Sequence, residues 1–531
     1  MNLFLISPLF FYELRIGEGG PDRSLLFLLP ASMAWLLLVQ LLIRRPLFAH
    51  LAMFPLYLTT AVDLYLIFSY HMRLGSSTIL VILDNLYDSG DYLKTNGSKV
   101  AIAIALFLVF YATCTFKIRQ LREPRRWRLT GAAFAALLAL YGFLAYHSGG
   151  YFSFMLYQDR GAPFGVFPQG LVARSLKLDL AKRSQDAAQF SFKATRPAAV
   201  NGPETYVLVI GESARPDHFG VYGYPRPTTP LLDKQKNLLA FRDVVSQASV
   251  TKDAVPFILT RGHALDPNRT ADERSIVSVY RELGFETYWF STQQRDLTTG
   301  LINRFAAEAG TLRFYERRYD PILLGDVNRA RVAEPNGNNK RFIVCHMSGS
   351  HFYYPTRYPD SFRFFPPGNM STDKEIINAY DNTIRYTDFF LSNLIQALES
   401  TPGVKAMLYV SDHGENLNDH GHNSFGHMLN TEYDLPVPLL FWYSDEFEQH
   451  FPEKIANAKD NLSRRLSTRS VFYTLQDLVG AHLAADAPDA VRLSVLAPHT
   501  VEVPRIIAAQ TKTFDFDTKF PEHKPANVPG H

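Results

Sequence analysis

Hydrophobic and polar positions divide this 531-residue chain into two unlike halves. The first 150 residues are dominated by long uncharged runs. Leu25 to Ile43 is 19 residues without a charge, and Leu47 to Tyr70 holds only His50 and Asp63 as ionisable groups. Val100 to Phe116 and Thr130 to His147 are two further runs. Each is long enough, or nearly so, to cross a hydrocarbon core of ~30 Å. Residues 3 to 12 form a shorter apolar run, so the pattern predicts a helical transmembrane domain over 1–150 with four or five spans. The loop from Lys117 to Arg128 carries six basic residues and should be cytoplasmic, as should Arg44-Arg45 two crossings earlier. Met72 to Ser98 and everything after Tyr151 are then external. With no basic leader and no small-residue cleavage site, no cleavable signal is expected. Within Ser77 to Tyr92, Ile79, Leu80, Ile82, Leu83 and Leu86 fall near helical spacing among polar residues. That reads as an amphipathic helix on the external membrane face.

Residues 151–203 follow Gly149-Gly150 and mix Gly161, Pro163, Pro168 and Pro197 with charges, so they read as a linker or membrane-surface segment. From Thr205 the pattern alternates between strands and helices. Strands are predicted at Tyr206–Ile210, Glu286–Phe290, Phe342–His346, Ala406–Val410 and Pro438–Tyr443. Helices are predicted at Asp272–Leu283, Thr372–Ser400 and Ser463–Val479. In the longest, Ile376, Tyr380, Ile384, Thr387, Leu391, Leu394 and Leu398 recur every three or four residues. This alternation implies an α/β domain over 204–505 with a mostly parallel sheet covered on both faces. The tail 506–531, with Pro521, Pro525 and Pro529, reads as extended or mobile.

Net charge is +3, which gives no field suited to nucleic acid. There are only two cysteines. Cys114 lies in an apolar run and Cys345 in a predicted strand, so no disulfide between them is expected.

Candidate chemistry gathers at two strand ends. Val207-Leu-Val-Ile-Gly-Glu-Ser213 and Leu408-Tyr-Val-Ser-Asp-His-Gly-Glu415 are β-branched, apolar runs that break abruptly into polar groups. Ligands bind at the carboxyl ends of parallel strands. Glu212, Asp412 and His413 would together form an O/N donor set suited to zinc. A hydroxyl activated by a base or metal could complete it as a nucleophile. Spacing alone leaves Ser213, Ser249 and Thr251 open.

The motifs then accumulate. Gly211-Glu-Ser-Ala-Arg215 and Tyr222-Gly-Tyr-Pro-Arg-Pro-Thr-Thr-Pro230 are followed by Thr251 with Val255-Pro256 and by Trp289-Phe-Ser-Thr-Gln-Gln294. His346-Met-Ser-Gly-Ser-His351 with Arg357-Tyr-Pro359, Tyr380-Asp-Asn-Thr-Ile384 with Tyr386-Thr-Asp388, and Ser411-Asp-His-Gly-Glu415 complete the series. In this order they resemble the phosphoethanolamine transferases of Gram-negative inner membranes, in the alkaline phosphatase/sulfatase superfamily. The likeness covers roughly 205–445, and the helical membrane half also fits it.

The resemblance implies one tightly bound zinc on Glu212, Thr251, Asp412 and His413, with Thr251 as nucleophile. It implies His351 near the transferred phosphate or a second metal, joined by a histidine after the Asp-His-Gly-Glu motif. His427 is favoured there over His422, with His420 a third option. Asn85 and Ser89 fit an Asn/Thr pattern that helps bind the lipid headgroup, while the following acid, Asp91, comes earlier than usual. Arg357 is expected at the substrate. Phe352, Tyr353, Tyr354 and Tyr358 are equally suited to cover an ethanolamine cation or to fill core. The soluble domain departs from many relatives in having no disulfides.

The resemblance also implies a double displacement. Phosphatidylethanolamine is the donor, and the acceptor is lipid A, lipopolysaccharide core or a periplasmic glucan. A multi-pass inner-membrane monomer with a periplasmic catalytic domain is expected. The alternatives are a sulfatase-like hydrolase or phosphodiesterase, a related glycerol-phosphate polymerase, and an inactive membrane-anchored binding protein. Neither cysteine lies in the C/S-x-P-x-R context that a sulfatase nucleophile needs. The motifs from Trp289 to Arg357 favour ethanolamine over glycerol phosphate, and the intact set Glu212, Thr251, Asp412 and His413 speaks against loss of activity.

Overall fold

The computed structural model describes residues 37–38, 41–43, 45–70, 74, 79, 89–120, 131–137, 139–140, 166–196, 200–293, 300–316, 318–333, 339–419, 425–484, 490–509 and 512–525. The chain falls into two compact units, Met1–Asp179 and Leu180–His531.

In the first unit, the helix Ser89–Arg119 contains the expected Val100–Phe116 run. Its segment Gly97–Arg119 is long and apolar enough to cross a membrane. It leaves Ile102, Leu106, Val109 and Phe116 exposed, which suits a lipid solvent rather than water. The expected single span Leu47–Tyr70 is instead a pair of helices, Pro46–Ala52 and Phe54–Tyr70. They are bent by 51° where they meet. Pro55 lacks an N–H and crowds the carbonyl four residues back, which accounts for the break. Each of the two ionisable groups of this run has a partner. His50 Nε2 lies 2.9 Å from the Thr115 hydroxyl, and Asp63 accepts the Leu74 amide at 2.8 Å. Among the described residues there is thus one clear span, or two if the bent pair counts as one. Residues 3–12, most of Leu25–Ile43 and most of Ser77–Tyr92 lie outside the described residues, as does much of Thr130–His147. The segment read as a linker includes a 21-residue helix, Val166–Asp186.

The second unit is built on a seven-stranded sheet. Its strands in chain order are β1 (Glu204–Gly211), β2 (Leu238–Phe241), β3 (Glu286–Ser291), β4 (Thr311–Phe314), β5 (Lys340–His346), β6 (Val404–Ser411) and β7 (Leu439–Tyr443). The spatial order is β2-β7-β6-β1-β5-β3-β4. Strands β6, β1, β5, β3 and β4 are parallel, and β7 runs antiparallel to both β6 and β2. All five predicted strands are present within two residues at each end. The two unpredicted ones, β2 and β4, are four-residue edge strands. So short a segment carries little periodicity.

Alternation decides the layers. Tyr206, Leu208 and Ile210 of β1 face one core, against Val255, Ile258 and Leu259 of α1 (Thr251–Leu259), α2 (Ile276–Glu282) and Phe472 and Leu475 of a later helix. Val207 and Val209 face the other, against α3 (Ile322–Val332) and α4 (Asp373–Glu399). The predicted period of α4 is its buried stripe, from Ile376 to Leu398. Its start is set by a capping box in which Thr372 and Glu375 each satisfy the other's backbone. Two predicted helices are shorter than expected. Asp272–Leu283 breaks at Glu273, after which Ser275 caps α2. Ser463–Val479 begins as a strand, Arg465–Ser467, before α5 (Arg469–Leu478).

The tail is the clearest departure. Instead of running extended, Ile506–Ala509 and Lys512–Asp515 pair as an antiparallel hairpin. Ile507 and Phe516 are buried with Val245 and Leu435. Arg505, 2% exposed, binds the buried Asp243 and donates through Nε to Asp517 Oδ2 at 3.0 Å. The prolines lie beyond this hairpin and say nothing about it.

Breaking a buried ion pair leaves one charge stranded, at about 3–5 kcal/mol. Arg505→Ala should therefore lower stability by that amount, read from denaturant unfolding through the buried Trp289 and Trp442 fluorescence. A loss below about 1 kcal/mol, the scale of a surface pair, would show that this pair does not anchor the tail.

Candidate metal centre

The parallel register of β1 and β6 places Gly211 opposite Ser411, so the next residues leave the sheet side by side. A Cβ at 211 would lie 2.6 Å from the Tyr409 hydroxyl oxygen, so any larger residue would displace that buried ring. Glu212 is 1% exposed, and Asp412 and His413 are fully buried. The turns after both strands are locked to each other. The Ala214 amide donates to Ser411 Oγ at 2.8 Å, and Ser411 Oγ donates to the His413 carbonyl at 3.0 Å. Tyr380 of α4 clamps the first turn by donating to the Ser213 carbonyl at 2.7 Å and accepting the Arg215 amide at 2.9 Å.

One ligand atom from each of Glu212, Asp412 and His413 lies within 4.8 Å of the others. His413 Nε2 is 3.3 Å from Glu212 Oε1 and 3.4 Å from Asp412 Oδ2. Thr251, the first residue of α1, donates its hydroxyl to Glu212 Oε2 at 3.0 Å and lies 3.2 Å from His413 Nε2. A tetrahedron with ~2.0 Å bonds has edges of about 3.3 Å, so the separations of His413 Nε2 from Glu212 Oε1, Asp412 Oδ2 and Thr251 Oγ1 match edges around one zinc ion. Two further observations agree. Asp412 Oδ2 is buried with no hydrogen-bond partner. His413 Nδ1 lies 2.8 Å from the Gly414 carbonyl, where it can only donate, which leaves the Nε2 lone pair free for a metal.

The other hydroxyls are committed elsewhere. Ser213 donates to Glu212 Oε1 at 2.8 Å and gives its amide to Asp412 Oδ1 at 3.1 Å, so it orients the two acids. Ser249 donates to Asn430 Oδ1 at 2.9 Å.

Burial and mutual charge dominate the electrostatics of the cluster. Burial, and then the nearby Asp412, push Glu212 up to about 7. Burial likewise pushes Asp412 up to about 6. Burial, and then the neighbouring His427, pull His413 down to about 4. Two carboxylates held this close without solvent call for a cation between them.

Of the three histidines considered after the Asp-His-Gly-Glu motif, His427 lies beside the cluster, its ring 4.4 Å from that of His413 and 5.4 Å from that of His351. His420 and His422 lie outside the described residues. Burial opposes charge on His427, but its 3.2 Å contact with Glu415, together with the charges of Glu415, Glu212 and Asp412, outweighs it and raises its pKa to about 9. His413, Glu415 and His427 form a second group with metal-ligand spacing. Arg357 donates to the His351 carbonyl at 2.8 Å and lies 3.1 Å from His351 Nδ1. His351 Nδ1 also lies 2.5 Å from the Phe352 carbonyl, so the ring is held between a cationic donor and a backbone acceptor. Asn85 lies outside the described residues, and Ser89 opens the helix Ser89–Arg119.

The aromatic group splits. Tyr354 and Tyr358 are core, with the Tyr354 hydroxyl donating to Glu415 Oε1 at 3.0 Å. Only Phe352 and Tyr353 keep partial exposure. Two residues of the site had no role in the sequence reading. Gln293 donates to Glu212 Oε2 at 2.6 Å, and Glu415 binds His427. Both lie inside the quoted motifs, but neither periodicity nor spacing gives them a partner.

The profile of the family described as Sulfatase matches residues 204–481, just over half of the chain. The chain belongs to the sulfatase family. Within its range of relatives, the chain is 30% identical over 315 residues to the Kdo(2)-lipid A phosphoethanolamine 7''-transferase of Escherichia coli K12. That alignment covers 56% of this chain and spans about half, 54%, of the relative. Among solved structures it is similar to the C-terminal periplasmic domain of EcEptC from Escherichia coli in complex with Zn, with 26% identity and a TM-score of 0.55. That match covers 63% of this chain and 98% of the domain. The fold of the integral membrane lipooligosaccharide phosphoethanolamine transferase A (EptA) from Neisseria meningitidis matches over 94% of this chain and 97% of that one, with a TM-score of 0.67 at 20% identity. A helical membrane region followed by a sulfatase-like α/β domain is therefore the fold class, as the sequence implied.

Removing a partner outside the coordination shell typically weakens metal binding by about 10–100-fold, so removing a donor should cost more. Asp412→Asn is expected to weaken zinc binding by more than about 100-fold, measured by competition with a chromophoric chelator. Unchanged affinity would remove Asp412 from the centre.

Proposed function

We propose that this chain is a zinc-dependent phosphoethanolamine transferase of a bacterial inner membrane, with its second unit in the periplasm. The donor is phosphatidylethanolamine, and the acceptor is an envelope glycan or glycolipid: lipid A, lipopolysaccharide core or a periplasmic glucan. The observation that carries this reading is the Thr251 hydroxyl, in contact with both Glu212 and His413 at the start of a helix. The similarity to named phosphoethanolamine transferases supports the transferred group.

Zinc held by Glu212, Asp412, His413 and Thr251 would supply Lewis-acid polarisation of a phosphoryl oxygen and favour ionisation of the hydroxyl. The protein supplies the rest. Thr251 Oγ1 attacks the donor phosphorus in line. A new P–O bond to Thr251 forms, the bond to the glycerol oxygen breaks, and the threonine proton ends on the released diacylglycerol. Val250 makes no side-chain cap and its carbonyl takes the amides of Asp253 and Ala254, so those of Thr251 and Lys252 are left for the developing charge on the phosphoryl oxygens. His351 and His427 flank the same place, their rings 5.4 Å apart. An acceptor hydroxyl then attacks the phosphothreonine, its proton returns to Thr251 Oγ1, and the enzyme is regenerated. Two bulky amphiphiles thus use one site in turn, and ping-pong kinetics result. A sulfatase reaction through a cysteine-derived nucleophile has no candidate here, since Cys345 is buried inside β5 and Cys114 lies in the helix Ser89–Arg119.

Thr251→Ala should reduce transfer by about 10³-fold or more while zinc stays on the three remaining ligands. Ser213→Ala, which removes only an orienting hydroxyl, should retain measurable transfer. Mass spectrometry of lipid A, core and glucan fractions reads both, as the increment of one phosphoethanolamine. Transfer at the wild-type level in Thr251→Ala would overturn the nucleophile.

A further inference from the structure

One buried acid that the mechanism does not use lies a single loop away from Glu212. Asp320, in the turn before α3, is 5% exposed and lies outside the cluster. Its carboxylate is fully engaged. Oδ1 accepts the Thr292 hydroxyl and the Ser348 amide, the latter at 2.8 Å, and Oδ2 accepts the Gly349 amide at 3.0 Å. Ser348 is further tied to Thr292 by donating its amide to the Thr292 hydroxyl and its own hydroxyl to the Thr292 carbonyl, both at 2.9 Å. One acid therefore joins the turn after β3 to the loop after β5.

That loop rests on the metal ligand. A Cβ at Gly349 would lie 2.8 Å from both the backbone nitrogen and oxygen of Glu212, and Gly349 has φ +48°. The Ser350 amide donates to the Glu212 carbonyl at 2.8 Å, and the Met347 amide to the Ile210 carbonyl at 2.9 Å. The loop ends at His351. Gln293, next to Thr292, reaches Glu212 Oε2. Each path from Asp320 therefore ends on Glu212 or His351.

We infer that Asp320 is a positioning residue for the metal centre, fixing the Ser348–His351 loop against Glu212 and so setting the place of Glu212 and His351. This rests on the reading of Glu212 as a zinc ligand. The hydrogen bonds require an acid in particular. Both oxygens accept, so an amide of the same shape would turn a donor towards either the Gly349 amide or the Ser348–Thr292 pair. A buried carboxylate held only by neutral donors is a costly way to pin a loop, unless the loop must be held to a fraction of an ångström.

The test compares Asp320→Asn with Asp326→Asn in the full-length protein. Asp326 is an equally buried acid on α3 that binds Tyr315 and Arg329, away from the loop. Two readouts are taken, zinc affinity by chelator competition and steady-state transfer. Asp320→Asn should weaken zinc binding and lower kcat each by about 10–100-fold, with donor KM within about twofold, the range for residues that orient a metal ligand. Asp326→Asn should lower Tm and leave zinc affinity and kcat unchanged. If Asp320→Asn lowers Tm alone, with zinc affinity and kcat intact, Asp320 is only a structural tether and the inference falls. If both variants lose zinc affinity equally, the effect is general destabilisation and the inference also falls. Absence of zinc binding in the unmodified protein would overturn the metal assignment itself, and this inference with it.

Discussion

Burying two carboxylates and an imidazole at one point is the constraint on which the rest of this structure depends. In water such groups repel each other weakly. Inside a protein their repulsion and lost hydration amount to several kcal/mol unless a cation or a set of hydrogen-bond donors offsets them. The second unit supplies the donors from its own chain. The sheet register presents Glu212 and Asp412 together, and Ser213, Gln293 and the local amides satisfy most of their oxygens. The one oxygen left without a partner, Asp412 Oδ2, faces His413. The site is specified as much by this omission as by the contacts around it.

The parts of the site are held with different stiffness. Glu212, Asp412 and His413 come directly off central strands whose pairing fixes them in all three dimensions. Thr251 comes from a helix that packs through Val255, Ile258 and Leu259 on the same core, so its hydroxyl is set by helix position rather than by a loop. His351 and His427 come from longer connections and lie at the outer side of the cluster. A rigid inner set with a more adjustable outer pair suits chemistry in which the attacking atom stays fixed and the groups being exchanged differ in size.

How much of this could be read beforehand varied with the length of the signal. The five longer strands and α4 each repeat their pattern often enough to be found, and the two ligand segments stood out because an apolar strand ending in acids is unusual in any context. The edge strands Leu238–Phe241 and Thr311–Phe314 are too short to show alternation. The hairpin after Arg505 escaped because its anchor is a tertiary ion pair with Asp243, more than 250 residues earlier. The same holds within the site. Thr251 was separable from Ser213 and Ser249 only through resemblance, since the choice depends on which hydroxyl reaches His413. Gln293, Glu415 and Asp320 act through partners far away in sequence, and composition carries no trace of such pairings. Tyr354 and Tyr358 went the other way, since residues that could equally have recognised a cation proved to be core.

The sheet margins carry a consequence of their own. Both outermost strands are only four residues long, and one of them exposes Thr311, Leu312 and Arg313. An edge this brief, with a cation on it, offers an incoming chain too few free amides to extend the ladder. The five longer strands, which are apolar enough to aggregate if left open, are enclosed between these blunt ends. Among the described residues, the central sheet therefore sets its five longer strands beside the candidate metal centre while ending at both margins in strands too short to template another chain.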